Sequence, residues 1–118
     1  MQAGEWVNKQ EWITDYTRSR ALELSKKPIT VSFEELSCLA LCYQKERIIV
    51  YNTKINTYSI KALEQLAIHE VCHLRYVKHN KRFRNLCRKM GIQEDYWLYG
   101  SPEKTPIPTY MIENYKYY

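Results

Sequence analysis

The chain has 118 residues, 45% hydrophobic and 26% charged, which excludes disorder along most of its length and leaves room for one domain, 1–118, around a single core. No apolar run approaches the roughly 18 residues of a membrane span, and Met1-Gln2-Ala3-Gly4-Glu5 lacks the basic and then apolar pattern of a signal peptide. These features exclude a membrane partner and predict an intracellular, cytoplasmic protein, while the net charge of +5 favours anionic partners.

Residues 5–26 carry Trp6, Val7, Trp12, Ile13, Tyr16, Ala21 and Leu24 among charged residues, with no internal glycine or proline, and predict a first helix. Pro28 forbids its continuation and drives Lys27 towards extended backbone, so the helix ends near Lys26. Ile29, Val31 and Phe33 then alternate with Thr30 and Ser32, the period of a half-buried strand. Two further apolar runs, 38–43 and 47–51, are separated by Gln44-Lys45-Glu46. Connections this short favour hairpins, so the expectation is a three-stranded antiparallel sheet.

Asn52 to Tyr58 reads as a loop, and Ser59 as the N-cap of a helix that starts at Ile60. Leu63, Ala67, Val71 and Leu74 recur in it at spacings of four and three, giving a buried face. A short helix over 81–90 follows: Asn80 can cap it, Phe83, Leu86, Cys87 and Met90 form its apolar stripe, and Gly91 can end it. Trp97 and Leu98 precede a Gly100-Ser101-Pro102 break. The segment 91–118, with Tyr110, Met111 and Ile112, is a tail that packs on the domain or stays mobile.

The only three histidines of the chain lie in the predicted long helix and just beyond it. His69 and His73, four residues apart, share one helix face and can grip one metal ion. They form an HExxH motif with Glu70, which lies about 100° around the helix and can act on a water as general base. His79 follows His73 by six residues, the spacing of the longer HExxHxxGxxH pattern. Three protein ligands, with water in the fourth position, are what a catalytic Zn2+ uses. On an unbroken helix a six-residue offset turns about 600°, so the helix must stop before His79. Tyr76 stands where the longer pattern has glycine. The bend must therefore be made by ordinary residues, with Asn80 left-handed or capping. Should His79 not ligate, Glu94 and Asp95 are the first substitutes.

No acidic residue falls between Val71 and Gln93, whereas Arg75, Lys78, Lys81, Arg82, Arg84, Arg88 and Lys89 do, so a basic surface flanks the motif. Cys38, Cys42, Cys72 and Cys87 form no CxxC pair and match no secreted framework, which favours free thiols over disulfides.

The run Ala67-Ile68-His69-Glu70-Val71-Cys72-His73-Leu74, followed by His79-Asn80-Lys81-Arg82-Phe83, resembles the YgjP-like zinc metallopeptidase domain, with its HExCHL, later histidine and nearby phenylalanine. More remotely it is similar to WLM and SprT-like proteases. The resemblance spans roughly residues 46–90, and 67–83 carry its specificity. It implies that His69, His73 and His79 bind zinc, that Glu70 is the catalytic base, and that the fold is a small zincin with an antiparallel sheet against the motif helix. The chain departs from it at Arg84, where the family often has tryptophan, and at Ser59, near a frequent proline.

The combined expectation is an α+β zincin-like domain that hydrolyses peptide bonds with Zn2+ and Glu70. Its peptide or protein substrate would lie along the sheet edge at 38–43 or 47–51. Tyr96, Tyr99 and Tyr110 are candidate oxyanion donors. The remoter resemblance, to proteases acting on DNA-bound proteins, extends this to nucleic-acid contact through the seven basic residues above. Two alternatives remain: a metal-dependent hydrolase of nucleotides, with the arginines on phosphate, and a non-catalytic zinc-binding domain. Neither substrate identity nor oligomeric state is legible at this level.

Overall fold

A computed structural model describes residues 8–104 of the chain. Helix α1 (Lys9–Ser25) begins where the Asn8 side chain accepts from the amides of Gln10 and Glu11, and ends at Lys26, which is left-handed at φ 59. Trp6 and Val7, expected in this helix, lie outside the described residues. Ile13, Thr17 and Ala21 face inward.

Strands β1 (Thr30–Glu34), β2 (Ala40–Tyr43) and β3 (Ile48–Asn52) form one sheet in the order β1-β3-β2. The hairpin from β2 to β3 is antiparallel as expected, and Arg47 closes its turn at φ 58. The pairing of β1 with β3 is parallel, from Thr30 opposite Ile48 to Glu34 opposite Asn52. The sheet is therefore mixed, which corrects the antiparallel expectation. The reason is burial: Ile49, Val50 and Tyr51 are at most 2% exposed, so the most apolar strand takes the centre and β2 is displaced to an edge. The same order removes 47–51 as a free edge and leaves β2, within 38–43, as the edge beside the histidines.

A short 3-10 helix, Thr53–Thr57, stands where a loop was expected, capped by the Asn52 side chain. Helix α2 (Ile60–Cys72) starts at Ser59, whose hydroxyl accepts from the Ala62 amide at 3.2 Å. The expected buried face of Leu63, Ala67 and Val71 is present, but Leu66, Ile68, His69, Glu70 and Cys72 are buried too. α2 is thus the central rod of the molecule, packed against α1, β2, α3 and α4. Helix α3 (Lys81–Met90) has the bounds the sequence predicts and stops at Gly91, φ 121. Helix α4 (Asp95–Tyr99) was not foreseen, since five residues carry no readable period. It buries Trp97 and Leu98, so the described part of the tail packs back on the core. All four cysteines are free thiols. No helix among the described residues is long and apolar enough to cross a membrane.

Candidate metal centre

His69 and Glu70 are fully buried on α2 and His73 is 6% exposed, so the motif faces the protein interior at the C-terminal end of the helix. After Cys72 the helix tightens: the amides of His73, Leu74 and Arg75 reach the carbonyls of Glu70, Val71 and Cys72 at 3.0–3.1 Å. The Gln44 side chain, from the hairpin turn, donates to the carbonyls of His73 and Leu74, both at 3.2 Å, and so covers two of the orphaned acceptors. No residue from 73 to 80 has a positive φ, so the bend at Tyr76 needs no glycine. Asn80 caps rather than turning left-handed: its side-chain oxygen accepts from the Phe83 amide at 3.0 Å. Arg84, where the resembled family often has tryptophan, donates to the His79 carbonyl at 2.7 Å. It fixes the backbone of the third histidine.

Two hydrogen bonds decide the tautomers. His69 Nδ1 lies 2.6 Å from the Trp97 carbonyl and His73 Nδ1 lies 2.9 Å from the Tyr76 carbonyl. A carbonyl only accepts, so each Nδ1 carries the hydrogen, and in the neutral ring each Nε2 presents a bare lone pair. The three Nε2 atoms converge: His73 Nε2 is 3.0 Å from His79 Nε2, and the Nε2 atoms of His69 and His73 face one and the same carboxylate oxygen, that of Glu103. Beneath them the Phe83 ring lies 4.5–5.0 Å from all three imidazoles, an apolar floor that keeps the rings in place.

A fourth group, which no motif or spacing marks, meets them. Glu103 places Oε2 at 2.9 Å from His69 Nε2 and 3.4 Å from His73 Nε2, and Oε1 at 3.1 Å from His79 Nε2. The four ligand atoms lie within 4.8 Å of one another. Bonds of about 2.0–2.1 Å to a tetrahedral ion separate its ligands by about 3.3 Å, close to these spacings. Unprotonated nitrogens and a carboxylate all turned towards one point repel unless a cation or protons lie between them. Three imidazoles and one oxygen suit a divalent transition metal. The residues present therefore fit a metal ion.

Glu70 sits beside this cluster with neither carboxylate oxygen in a hydrogen bond of ordinary geometry. Burial, then the neighbouring Glu103 carboxylate, pushes its carboxyl well above the usual range. Burial opposes ionisation of Glu103 as well, but interactions with Glu70, His69 and His73 prevail and hold it well below. For His79, burial and the nearby His69 both push the imidazole down. A cleft of about 360 Å3 opens at the centre, lined in part by Cys42 and Gln44 of the sheet, Lys78 and His79 of the bend, and Glu103 and Lys104.

Of the other candidates, Glu94, Asp95 and Tyr99 are placed elsewhere. Glu94 forms an ion pair with Lys61 at 3.8 Å, and Asp95 opens α4; neither joins the cluster. Tyr99 is turned to α3, its hydroxyl 3.1 Å from Arg88 and its ring 4.9 Å from the Arg84 guanidinium. Tyr96 packs edge-on against Trp97 at 4.8 Å, and Tyr110 lies outside the described residues. Of the seven basic residues, Arg75, Arg84 and Arg88 donate to groups of their own chain, whereas Lys78, Lys81, Arg82 and Lys89 are exposed.

Residues 5–91 match a family model described as the YgjP-like, metallopeptidase domain. The match covers most of the chain, which belongs to this family. None of the curated proteins compared with the chain matches it. Glu103 and the Trp97 carbonyl lie beyond the matched residues.

Proposed function

We propose that this member of the YgjP-like family is a zinc metallopeptidase that hydrolyses peptide bonds, with His69, His73 and His79 as metal ligands and Glu70 as general base. The observation that carries the reading is the pair of carbonyl-fixed tautomers that aim the Nε2 lone pairs of His69 and His73 at one point beside a buried carboxyl group. Zinc suits three imidazoles, and when bound it would polarise the scissile carbonyl and acidify the attacking water.

The remaining work falls to the chain. Glu70 takes the proton of the attacking water and returns it to the leaving amine, and burial makes it a stronger base than an exposed glutamate. The Trp97 and Tyr76 carbonyls keep both helix imidazoles in the ligating tautomer. Phe83 and the fully buried core behind it exclude water from the rear of the site. β2 is the edge on which an extended peptide can pair beside the histidines.

The test is casein hydrolysis with and without a chelator, in wild type and in Glu70→Gln. Glu70→Gln is expected to lower the rate by about 10²–10⁴ while the protein keeps its metal. Chelator-sensitive hydrolysis of nucleoside triphosphates in place of casein would replace this reading with a nucleotide hydrolase. Stoichiometric metal with hydrolysis of neither substrate would replace it with a non-catalytic zinc domain.

A further inference from the structure

The turn that carries Glu103 occupies two places that a peptidase keeps for its substrate. The Pro102 carbonyl accepts from the Leu39 amide at 3.0 Å and the Ala40 amide at 3.4 Å, at the start of the edge strand β2. An added peptide strand would make this kind of main-chain bond there. The next residue sends its carboxylate into the fourth corner of the histidine cluster, 2.9–3.4 Å from three imidazole nitrogens. Both contacts come from one short segment, Ser101–Lys104, closed by a bond from the Lys104 amide to the Ser101 carbonyl at 2.9 Å.

Its path is set by the residue before it. A Cβ at Gly100 would run into the Tyr96 carbonyl, so only glycine lets the chain leave α4 at this angle. Pro102 is buried, whereas Lys104 is exposed. The segment is four residues long and belongs to no helix or strand, so it can be displaced without unravelling one. It also lies outside residues 5–91, so the family match does not include it.

We propose that the Ser101–Lys104 turn is a built-in occupant of the active-site cleft: Glu103 is a fourth protein ligand that closes the metal site at rest, and the turn must lift before a peptide enters. The proposal rests on the metal-site reading above. With Glu103 in place the site has four protein ligands and no open position, the composition of a closed centre; with it withdrawn, three histidines remain and a position opens. The displaced carboxylate takes no part in the chemistry and is exchanged for an incoming ligand.

The test uses the full 118-residue chain loaded with Co2+, whose visible bands report coordination, titrated with acetohydroxamate, a small metal chelator that is not a substrate. Glu103→Ala and the isosteric Glu103→Gln are compared with wild type. A turn that holds the site in nine molecules of ten lowers apparent affinity about tenfold. The expected result is altered bands in both variants, acetohydroxamate bound at least about tenfold more tightly than by wild type, and wild-type bands that converge on those of the variants at saturation. Identical bands and affinities in all three proteins would overturn the proposal while leaving a three-histidine site intact. Wild-type bands that no concentration of acetohydroxamate changes would overturn it too, by making Glu103 a permanent ligand. Failure of the wild type to take up Co2+ would instead remove the metal-site reading itself.

Discussion

Two stretches build the centre, and they behave differently as sequence. Residues 66–83 supply the histidines, Glu70, the bend and the Phe83 floor, and their placement follows from spacing along one helix and its successor. Residues 92–104 supply the Trp97 carbonyl and Glu103, and nothing in their spacing points at the site. The first stretch works through local geometry, which a sequence displays. The second works through tertiary placement, and one of its contributions is a backbone carbonyl that any residue carries.

Breaking the second stretch should show how much the first depends on it. Trp97 is fully buried between α4 and α2, and Trp97→Ala is expected to cost about 3–5 kcal/mol of stability by chemical denaturation. Loosening of α4 also frees the carbonyl that holds His69, so metal affinity should fall by about 10- to 100-fold. Unchanged affinity in a folded variant would mean that α2 alone orients His69.

Cys42 reports on the same junction from the sheet side. Burial, then the nearby Glu103 carboxylate, pushes its thiol up to about 12. The folded value lies above the unfolded one, so the stability linked to this thiol is present below about pH 9 and is lost as pH rises from there towards 12. At pH 8 the thiolate is about a thousandfold scarcer than for a free thiol titrating near 9, and iodoacetamide should label the Cys42 peptide correspondingly slowly. Labelling at a free-thiol rate would show that the junction is open. A smaller effect is expected from Asn80→Ala, about 1 kcal/mol from the lost cap, because Arg84 still holds the His79 carbonyl.

Much of the fold was legible. α2 and α3 have readable caps and apolar periods, α1 an apolar stripe that Pro28 stops, and the three strands alternate or run apolar between polar turns. Strand order was not, because short connections argue for hairpins while the burial of Ile49, Val50 and Tyr51 puts β3 between β1 and β2. In the site, a glycine-free bend at Tyr76 looked like a difficulty and is resolved by the Gln44 side chain, from a distant turn, capping the helix end. Glu103 had no signal beyond being an acidic residue next to Pro102. The nearer acids, Glu94 and Asp95, were the natural substitutes, and proximity in sequence misled there.

The most direct test that three histidines, joined in the fold by a bend and a cap, hold one metal ion is the metal content of the purified chain after dialysis. Elemental analysis compares wild type, Glu103→Ala and the double variant Glu103→Ala/His79→Ala, because in His79→Ala alone Glu103 still leaves two histidines and a carboxylate. One equivalent of zinc is expected in wild type and in Glu103→Ala, and its loss in the double variant. A wild type that retains no stoichiometric metal, or a folded double variant that retains it fully, would contradict a three-histidine centre.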